Sequence, residues 1–198
     1  LVIALRTWVA RNDGTFAVQD KLKRKWLGRA NKIISVSGAV RRHSWNRSIV
    51  IPNPYRVAKF KILPAVSRSL DFVFVGRLVS NKGADHAILA IKVLSKLGLA
   101  KAGKGPVLTI VGDGPERFNL KILAEELDLQ DHVFFTGQLS GEDLTKCLNR
   151  HKFILVPSLW EEPFGNVALE GMACGCIPIV SNGGGLPDAV GEAGIIFS

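Results

Sequence analysis

The sequence is poor in cysteine and in acidic side chains, and it has no long apolar run. Its cysteines are Cys147, Cys174 and Cys176, an odd number with no CxxC pair. That spacing excludes a zinc framework of the paired CxxC type. The Cys-Gly-Cys pair falls between an apolar helical stretch and an apolar strand, which marks buried free thiols and fits a reducing cytosol. No apolar run reaches the roughly 18 residues that would span a bilayer, and the start shows no signal-peptide pattern. Internal repeats and low-complexity tracts are also missing. Only 17 Asp and Glu face 26 Lys and Arg, for a net charge of +9.

What is present is a chain of 198 residues, 47% of them hydrophobic. That is enough for one large domain, or for one domain and part of another. The chain opens inside the strand-like run LVIAL and closes on AGIIFS, so both ends are expected to be truncations. The charge is uneven. Residues 1–68 hold 15 Lys and Arg against Asp13 and Asp20, a balance of +13. Residues 69–198 hold 11 against 15, a balance of −4. Such asymmetry points to two functional zones. The basic zone suits nucleic acid, anionic lipid or a phosphorylated substrate, and a solvated basic surface is the plainer reading.

Apolar runs of five to seven residues recur at 32–37, 48–52, 71–76, 107–112, 132–137, 152–157, 177–181 and 194–198. They are rich in Val, Ile and Phe and alternate little, the pattern of strands buried on both faces of a parallel sheet. Helical patterns fill the gaps at 84–98, 115–129, 140–150, 165–175 and 186–191. Gly98 reads as a stop, Pro115 as a first helical residue, and Ser140 with Asp143 as a near capping box. Alternating strands and helices predict an α/β fold with a Rossmann-like, doubly wound parallel sheet. Ligands then bind at the carboxyl ends of the strands. Residues 55–69 lack any period and read as a linker. Residues 1–54 read as the tail of a preceding domain, and 70–198 as the main domain.

The chemistry sits at those strand ends. In FVGRLVSNKG a strand ends at Gly76, and Arg77 and Lys82 follow before a helix. Two cations beside a helix start suit a diphosphate better than a carboxylate; two solvated surface cations are the alternative. VGDGPE has Arg117 where a dinucleotide fingerprint has its third glycine, so it reads as a tight turn around Asp113, and a nicotinamide enzyme is disfavoured. EEPFGNVALEG places Glu162 in a loop before Pro163 and Glu170 about one and a half turns into the following helix. Both carboxylates are expected to face one cavity, with the free amides of Phe164, Gly165 and Asn166. Carboxylates accept from vicinal hydroxyls, and helix-start amides donate to hydroxyls or phosphate. A polyhydroxylated, phosphorylated ligand fits that mixture. The turn SNGGGLPDAV is expected to add further amides.

Together, GRL…NKG, VGDGP, FTGQLS and PSLWEEPFGNVALEGMACGCIPIVSNGGGLPDAV resemble the C-terminal domain of the retaining glycosyltransferases of family 4, which have the GT-B fold. ANKIISVSGAVRRH and VIPNPYR resemble the end of that family's N-terminal domain. The resemblance covers roughly residues 30–198, and the two glutamates with seven residues between them are its most specific part. It implies transfer of a sugar from a UDP-, GDP- or ADP-sugar to an acceptor hydroxyl, with retention, in cell-surface glycan synthesis. Arg77 and Lys82 would hold the diphosphate and, with Glu162, form the catalytic set. Glu162 would contact the donor sugar and Glu170 the ribose hydroxyls. Gly76 and the backbone of Phe164, Gly165, Asn166 and Val167 would line the donor site. The loop of Gly137, Gln138 and Leu139 would meet the base. No metal ion and no cofactor are implied, since the two cations neutralise the leaving group.

The sequence departs from the family in two places. Asp188 stands where many relatives have Glu. The run LVIALRTW reads Ala4, Leu5, Arg6 where relatives often offer a His. The family's glycine loop, acceptor pocket and closing helix fall outside this sequence, so the chain by itself is expected to be inactive. A non-catalytic nucleotide-sugar-binding module is the alternative function. A pyridoxal-phosphate phosphorylase ranks below both, because no Lys has the apolar strand-end setting of a Schiff base.

In the basic zone, DKLKRKWLGR places Leu22 and Trp26 on one face of a helix among Lys21, Lys23, Arg24, Lys25 and Arg29. A basic helix with Trp on its apolar side suits an anionic membrane surface on the cytoplasmic side, and a lipid-linked or surface glycan acceptor. Packing of Leu22, Trp26 and Leu27 on a missing part of the N-terminal domain is the competing reading. Nucleic acid is not expected as a partner, because aromatics do not alternate with the charges.

Overall fold

The computed structural model describes residues 1–9, 17–97 and 105–198. Two parallel sheets organise them. The smaller holds β1 (Val2–Leu5), β2 (Lys32–Ser35) and β3 (Ile49–Val50) in that order. Helix α1 (Val18–Leu27) connects β1 to β2, and α2 (Gly38–Ser44) connects β2 to β3. The larger sheet holds β4 (Leu70–Val75), β5 (Leu108–Val111), β6 (Val133–Gly137), β7 (His151–Val156), β8 (Ile177–Ser181) and β9 (Ile195–Phe197). Its order is β6-β5-β4-β7-β8-β9, and every pairing is parallel. The chain therefore winds outward from β4 in one direction, returns, and winds outward from β7 in the other. This is the doubly wound Rossmann-like topology, with its switch point between β4 and β7.

Helices α3 (Ala84–Lys96) and α4 (Arg117–Glu126) cover one face. Helices α5 (Gly141–Arg150), α6 (Asn166–Ala173) and α7 (Leu186–Val190) cover the other. Successive strand residues serve opposite cores. Val73 and Ile154 join Leu148, Ala168 and Leu186 on one face. Phe74 and Ile110 join Ile88, Ile91 and Leu120 on the other. Burial on both faces is why these runs show little alternation.

One helix start differs from expectation. Helix α4 begins at Arg117, not Pro115, because Glu116 N–H donates to Leu78 C=O at 3.0 Å and so binds a neighbouring loop. Ser140 does stand at the cap of α5, but its hydroxyl makes no capping hydrogen bond. Helix α3 ends at Lys96, and the expected stop at Gly98 lies outside the described residues.

Residues 51–69 contain no helix or strand and run between the two sheets. They are nevertheless fixed. Asn149 accepts from Leu63 N–H at 2.7 Å and donates to Lys61 C=O at 3.0 Å, and Thr145 donates to Lys59 C=O at 3.0 Å. Phe60 is buried in the core against the larger sheet, and Arg68 donates to the carbonyls of His151 and Cys174. A third core joins the sheets: Leu5, Leu27, Ile33 and Val40 pack with Phe164 and Ala189. Across the same boundary Ser37 donates to Pro163 C=O at 2.6 Å, and Gly38 N–H donates to Asp188 Oδ2 at 2.7 Å. Asp188 thus binds the first amide of α2, where a carboxylate is favoured by the helix dipole.

Candidate functional site

At the switch point the loops after β4 and β7 diverge and leave a cavity of about 330 Å³. Gly76 and Arg77 border it from the β4 side, Ser158 and Glu162 from the β7 side, and the start of α6 closes one end. Lys82 ends a short 3₁₀ turn, Ser80–Lys82, just before α3. Its ammonium donates to Glu162 Oε1 and lies 5.3 Å from the Trp160 ring centroid. Glu162 is buried, at 9% exposure, and the same Oε1 also accepts from Ser158 Oγ at 2.7 Å. A carboxylate so deeply placed needs both partners, because desolvation is offset only by paired, well-formed hydrogen bonds. Arg77, by contrast, is exposed and makes no side-chain hydrogen bond or ion pair among the described residues.

The shape of the 158–163 loop depends on its neighbours. Leu159 N–H donates to Asn81 C=O at 2.9 Å, so the β4 and β7 loops are tied together. Gly185 N–H donates to Glu162 C=O at 2.6 Å. Beside it, Gly184 has φ +60°, and a Cβ there would lie 2.2 Å from Glu162 O. Only glycine fits that approach. This corrects one expectation, since at Gly185 the glycine-rich turn gives its amide to the loop and not to the cavity.

Gly165, with φ +106°, lets the chain turn into α6. The amides of Phe164, Gly165, Asn166 and Val167 donate to no acceptor among the described residues, as the first amides of a helix do. All four residues border the cavity, while the Phe164 ring packs in the core between the sheets.

Glu170 differs from Glu162. It lies on α6, is half-buried, and is not among the residues bordering the cavity. Burial raises the pKa of its carboxyl above the ordinary value, and the nearby positive charge of Arg56 opposes that rise. The expectation of two carboxylates facing one cavity therefore holds here for Glu162 alone. Lys82 and Ser158 hold Glu162 at the cavity wall, while Glu170 lies further along α6 than the residues that border it.

A second cavity of about 440 Å³ adjoins the first and shares Val75, Gly76 and Arg77 with it. Gln138 and Leu139 border it, with Gly112 and Asp113 opposite. Gly137, with φ +74°, turns β6 into that loop, and its carbonyl accepts from Gly112 N–H at 2.8 Å. The two cavities form a trough along the carboxyl ends of β6, β5, β4 and β7. Among the polar bordering residues, Asn53 and Ser158 escaped the motif reading, and Arg6 entered it only as a departure from the family, with no role. Arg6 directly follows a strand-like run, a signal that could have found it. Asn53 reaches the site by donating to Asn166 Oδ1 at 3.0 Å, a pairing no local pattern encodes.

A family model described as glycosyl transferases group 1 matches residues 56–197. The chain belongs to this family. Among curated relatives, the 2-deoxystreptamine glucosyltransferase of Streptomyces kanamyceticus is 37% identical over 120 residues, 60% of this chain and 29% of that protein. The D-inositol 3-phosphate glycosyltransferase of Mycobacterium sp. strain KMS is 38% identical over 126 residues, 62% of this chain and 27% of that protein. Each match thus spans under a third of the relative's length. Among solved structures, Anabaena HepE in complex with UDP and glucose aligns with a TM-score of 0.80 at 20% identity, covering 100% of this chain and 57% of HepE. Sucrose-phosphate synthase from Thermosynechococcus elongatus aligns at 0.74 and 25% identity, covering 98% of this chain and 54% of that one. The group 1 chain therefore has the Rossmann-like C-terminal domain fold of GT-B glycosyltransferases, beside a second, three-stranded sheet.

Proposed function

We propose that the protein carrying this chain is a retaining glycosyltransferase of family 4, moving a sugar from a nucleotide diphosphate sugar to an acceptor hydroxyl. One observation carries the reading: exposed Arg77, the Lys82–Glu162 pair and four free amides meet at the switch-point crevice. The diphosphate lies against Arg77 and Lys82, which match its charge as the bond from the anomeric carbon to phosphate breaks. Glu162 accepts from a hydroxyl of the donor sugar, and the amides at the start of α6 hold its other oxygens. Glu170 binds the ribose hydroxyls, and the loop from Gly137 to Leu139 meets the base. The acceptor oxygen bonds to the anomeric carbon on the face the phosphate leaves, and the acceptor proton departs with the nucleotide diphosphate. HepE, which has this fold, binds UDP and glucose in its crystal structure, and that supports a nucleotide-sugar donor.

The test is turnover of UDP-, GDP- and ADP-glucose by the intact protein, with the anomeric configuration of the product read by NMR. Arg77→Ala should weaken nucleotide diphosphate by about 1.5–3 kcal/mol and leave the nucleoside unaffected. Absence of nucleotide diphosphate release with every donor, or equal losses for diphosphate and nucleoside, refutes the reading.

We further propose that the protein works at the cytoplasmic face of a membrane, on a lipid-linked or surface glycan. Val18, Leu22 and Trp26 are four residues apart on α1 and are 74%, 56% and 62% exposed. Lys21 and Lys25 flank this stripe, and Leu27 turns into the core. Among the described residues no helix is long and apolar enough to cross a membrane. Co-sedimentation with anionic vesicles should fall with salt and on Lys21→Gln with Lys25→Gln. Equal binding to neutral and anionic vesicles defeats the proposal.

A further inference from the structure

The first cavity is bordered by three cations, Arg6, Arg77 and Lys82, and by one carboxylate, Glu162. Lys82 is hydrogen-bonded to Glu162, so it shares its charge between that carboxylate and a ligand. That leaves Arg77 as the larger domain's exposed cation at the crevice. A diphosphate ester brings about two negative charges, so with Glu162 the crevice holds about three against the two cations Arg77 and Lys82. The second exposed cation at this cavity comes from the other sheet.

Arg6 directly follows β1, at its carboxyl end, much as Arg77 follows β4. Its base is held firmly. Leu5 is buried in the core between the sheets, and its carbonyl accepts from Val36 N–H at 3.1 Å. Trp8 donates from Nε1 to Glu161 C=O at 3.0 Å, and Val9 N–H donates to Ser44 Oγ at 3.1 Å. The segment bearing Arg6 is therefore fastened to the same loop that carries Glu162. Its guanidinium, in contrast, is exposed and makes no hydrogen bond or ion pair among the described residues. A fixed base with a free, forked donor at a crevice is the arrangement that binds phosphate oxygens in pairs.

We infer that Arg6 binds the donor diphosphate from the smaller sheet, opposite Arg77, so that the phosphates are clamped between the two sheets. The inference rests on the nucleotide-sugar reading above and adds a residue to it. Lys82 then bridges Glu162 and the diphosphate, and Arg6 supplies the third positive charge. Diphosphate affinity depends on Arg6 about as much as on Arg77.

Isothermal titration of the intact protein with UDP, GDP and ADP, and with the matching monophosphates and nucleosides, tests this. Arg6→Gln should weaken the diphosphate that binds by about tenfold to a hundredfold, the range of a charge-assisted hydrogen bond. It should weaken the monophosphate less and the nucleoside by less than about twofold. Arg6→Lys should recover part of the loss. The ligand-free melting temperature should not change, because the side chain has no partner to lose. Unchanged diphosphate affinity in Arg6→Gln beside a clear loss in Arg77→Ala overturns the assignment. So does an equal loss for diphosphate and nucleoside, or an effect confined to the KM of the acceptor. If the unaltered protein binds none of the three diphosphates, the nucleotide-sugar reading falls first and this inference with it.

Discussion

Replacing Lys82 by Met and Glu162 by Gln, singly and together, isolates the ion pair at the crevice. The side chains of Lys82 and Glu162 are 28% and 11% exposed. Breaking a fully buried pair by removing one partner costs about 3–5 kcal/mol, because a charge is left without compensation. Lys82 still touches solvent and Trp160, so its charge is never fully stranded. Glu162→Gln also keeps an oxygen for Ser158 Oγ. We therefore expect each single change to cost the ligand-free protein about 2–3 kcal/mol. The double variant removes both charges at once, so it should cost about 1–2 kcal/mol less than the sum. Urea unfolding at neutral pH, followed by tryptophan fluorescence, measures the three values. Additivity within about 0.3–0.5 kcal/mol would mean the two residues do not act as a pair, and the account of how Glu162 is held would be wrong.

Glu170→Gln should raise the unfolding midpoint of the ligand-free protein at pH 7 while lowering nucleotide diphosphate affinity. Its carboxyl is raised by burial, so the folded state holds that proton more tightly and loses stability as pH rises through the raised value; a lower midpoint would contradict this. The His151 pKa is lowered, chiefly by burial, and the ring accepts from Thr109 Oγ1 at 2.8 Å and donates from Nδ1 to Cys147 C=O at 2.7 Å. The unfolded chain therefore binds that proton first, and stability should fall as pH drops through about 6.5. His151→Gln should flatten the slope between pH 7 and pH 5, and an unchanged slope rules the residue out. Gly184→Ala should destabilise by about 2–4 kcal/mol, combining the left-handed backbone cost with the push on Glu162 O. A loss under about 0.5 kcal/mol in urea unfolding would show that the loop yields freely.

Much of this molecule was legible along the chain. The strand runs beginning near 71, 107, 132, 152 and 177 correspond to β4 through β8 within a residue or so. Cysteine burial was readable too: Cys174 and Cys176 are buried free thiols, and burial pushes Cys176 up to about 12. Helix starts were less legible. The first turn of α4 is decided by a carbonyl of Leu78, and no capping pattern within the helix announces it. The short α2 had no periodic signal, since its seven residues are set by Ser37, which accepts from Val40 N–H, and by Asp188 far along the chain.

Element types were written locally because a strand covered on both faces needs an unbroken apolar run, and each helix between such strands needs an apolar stripe. Arg77 and Lys82 were visible for the same reason, as they follow a strand end directly. Lys82 and Glu162 are 80 positions apart, and their meeting depends on β4 lying beside β7, an adjacency that no local pattern encodes. The inward turn of Glu162, the outlying position of Glu170 and the arrival of Arg6 from another sheet follow from that order and from the packing between the sheets. Short-range chemistry chose the residues of the site, and long-range burial chose which of them share it.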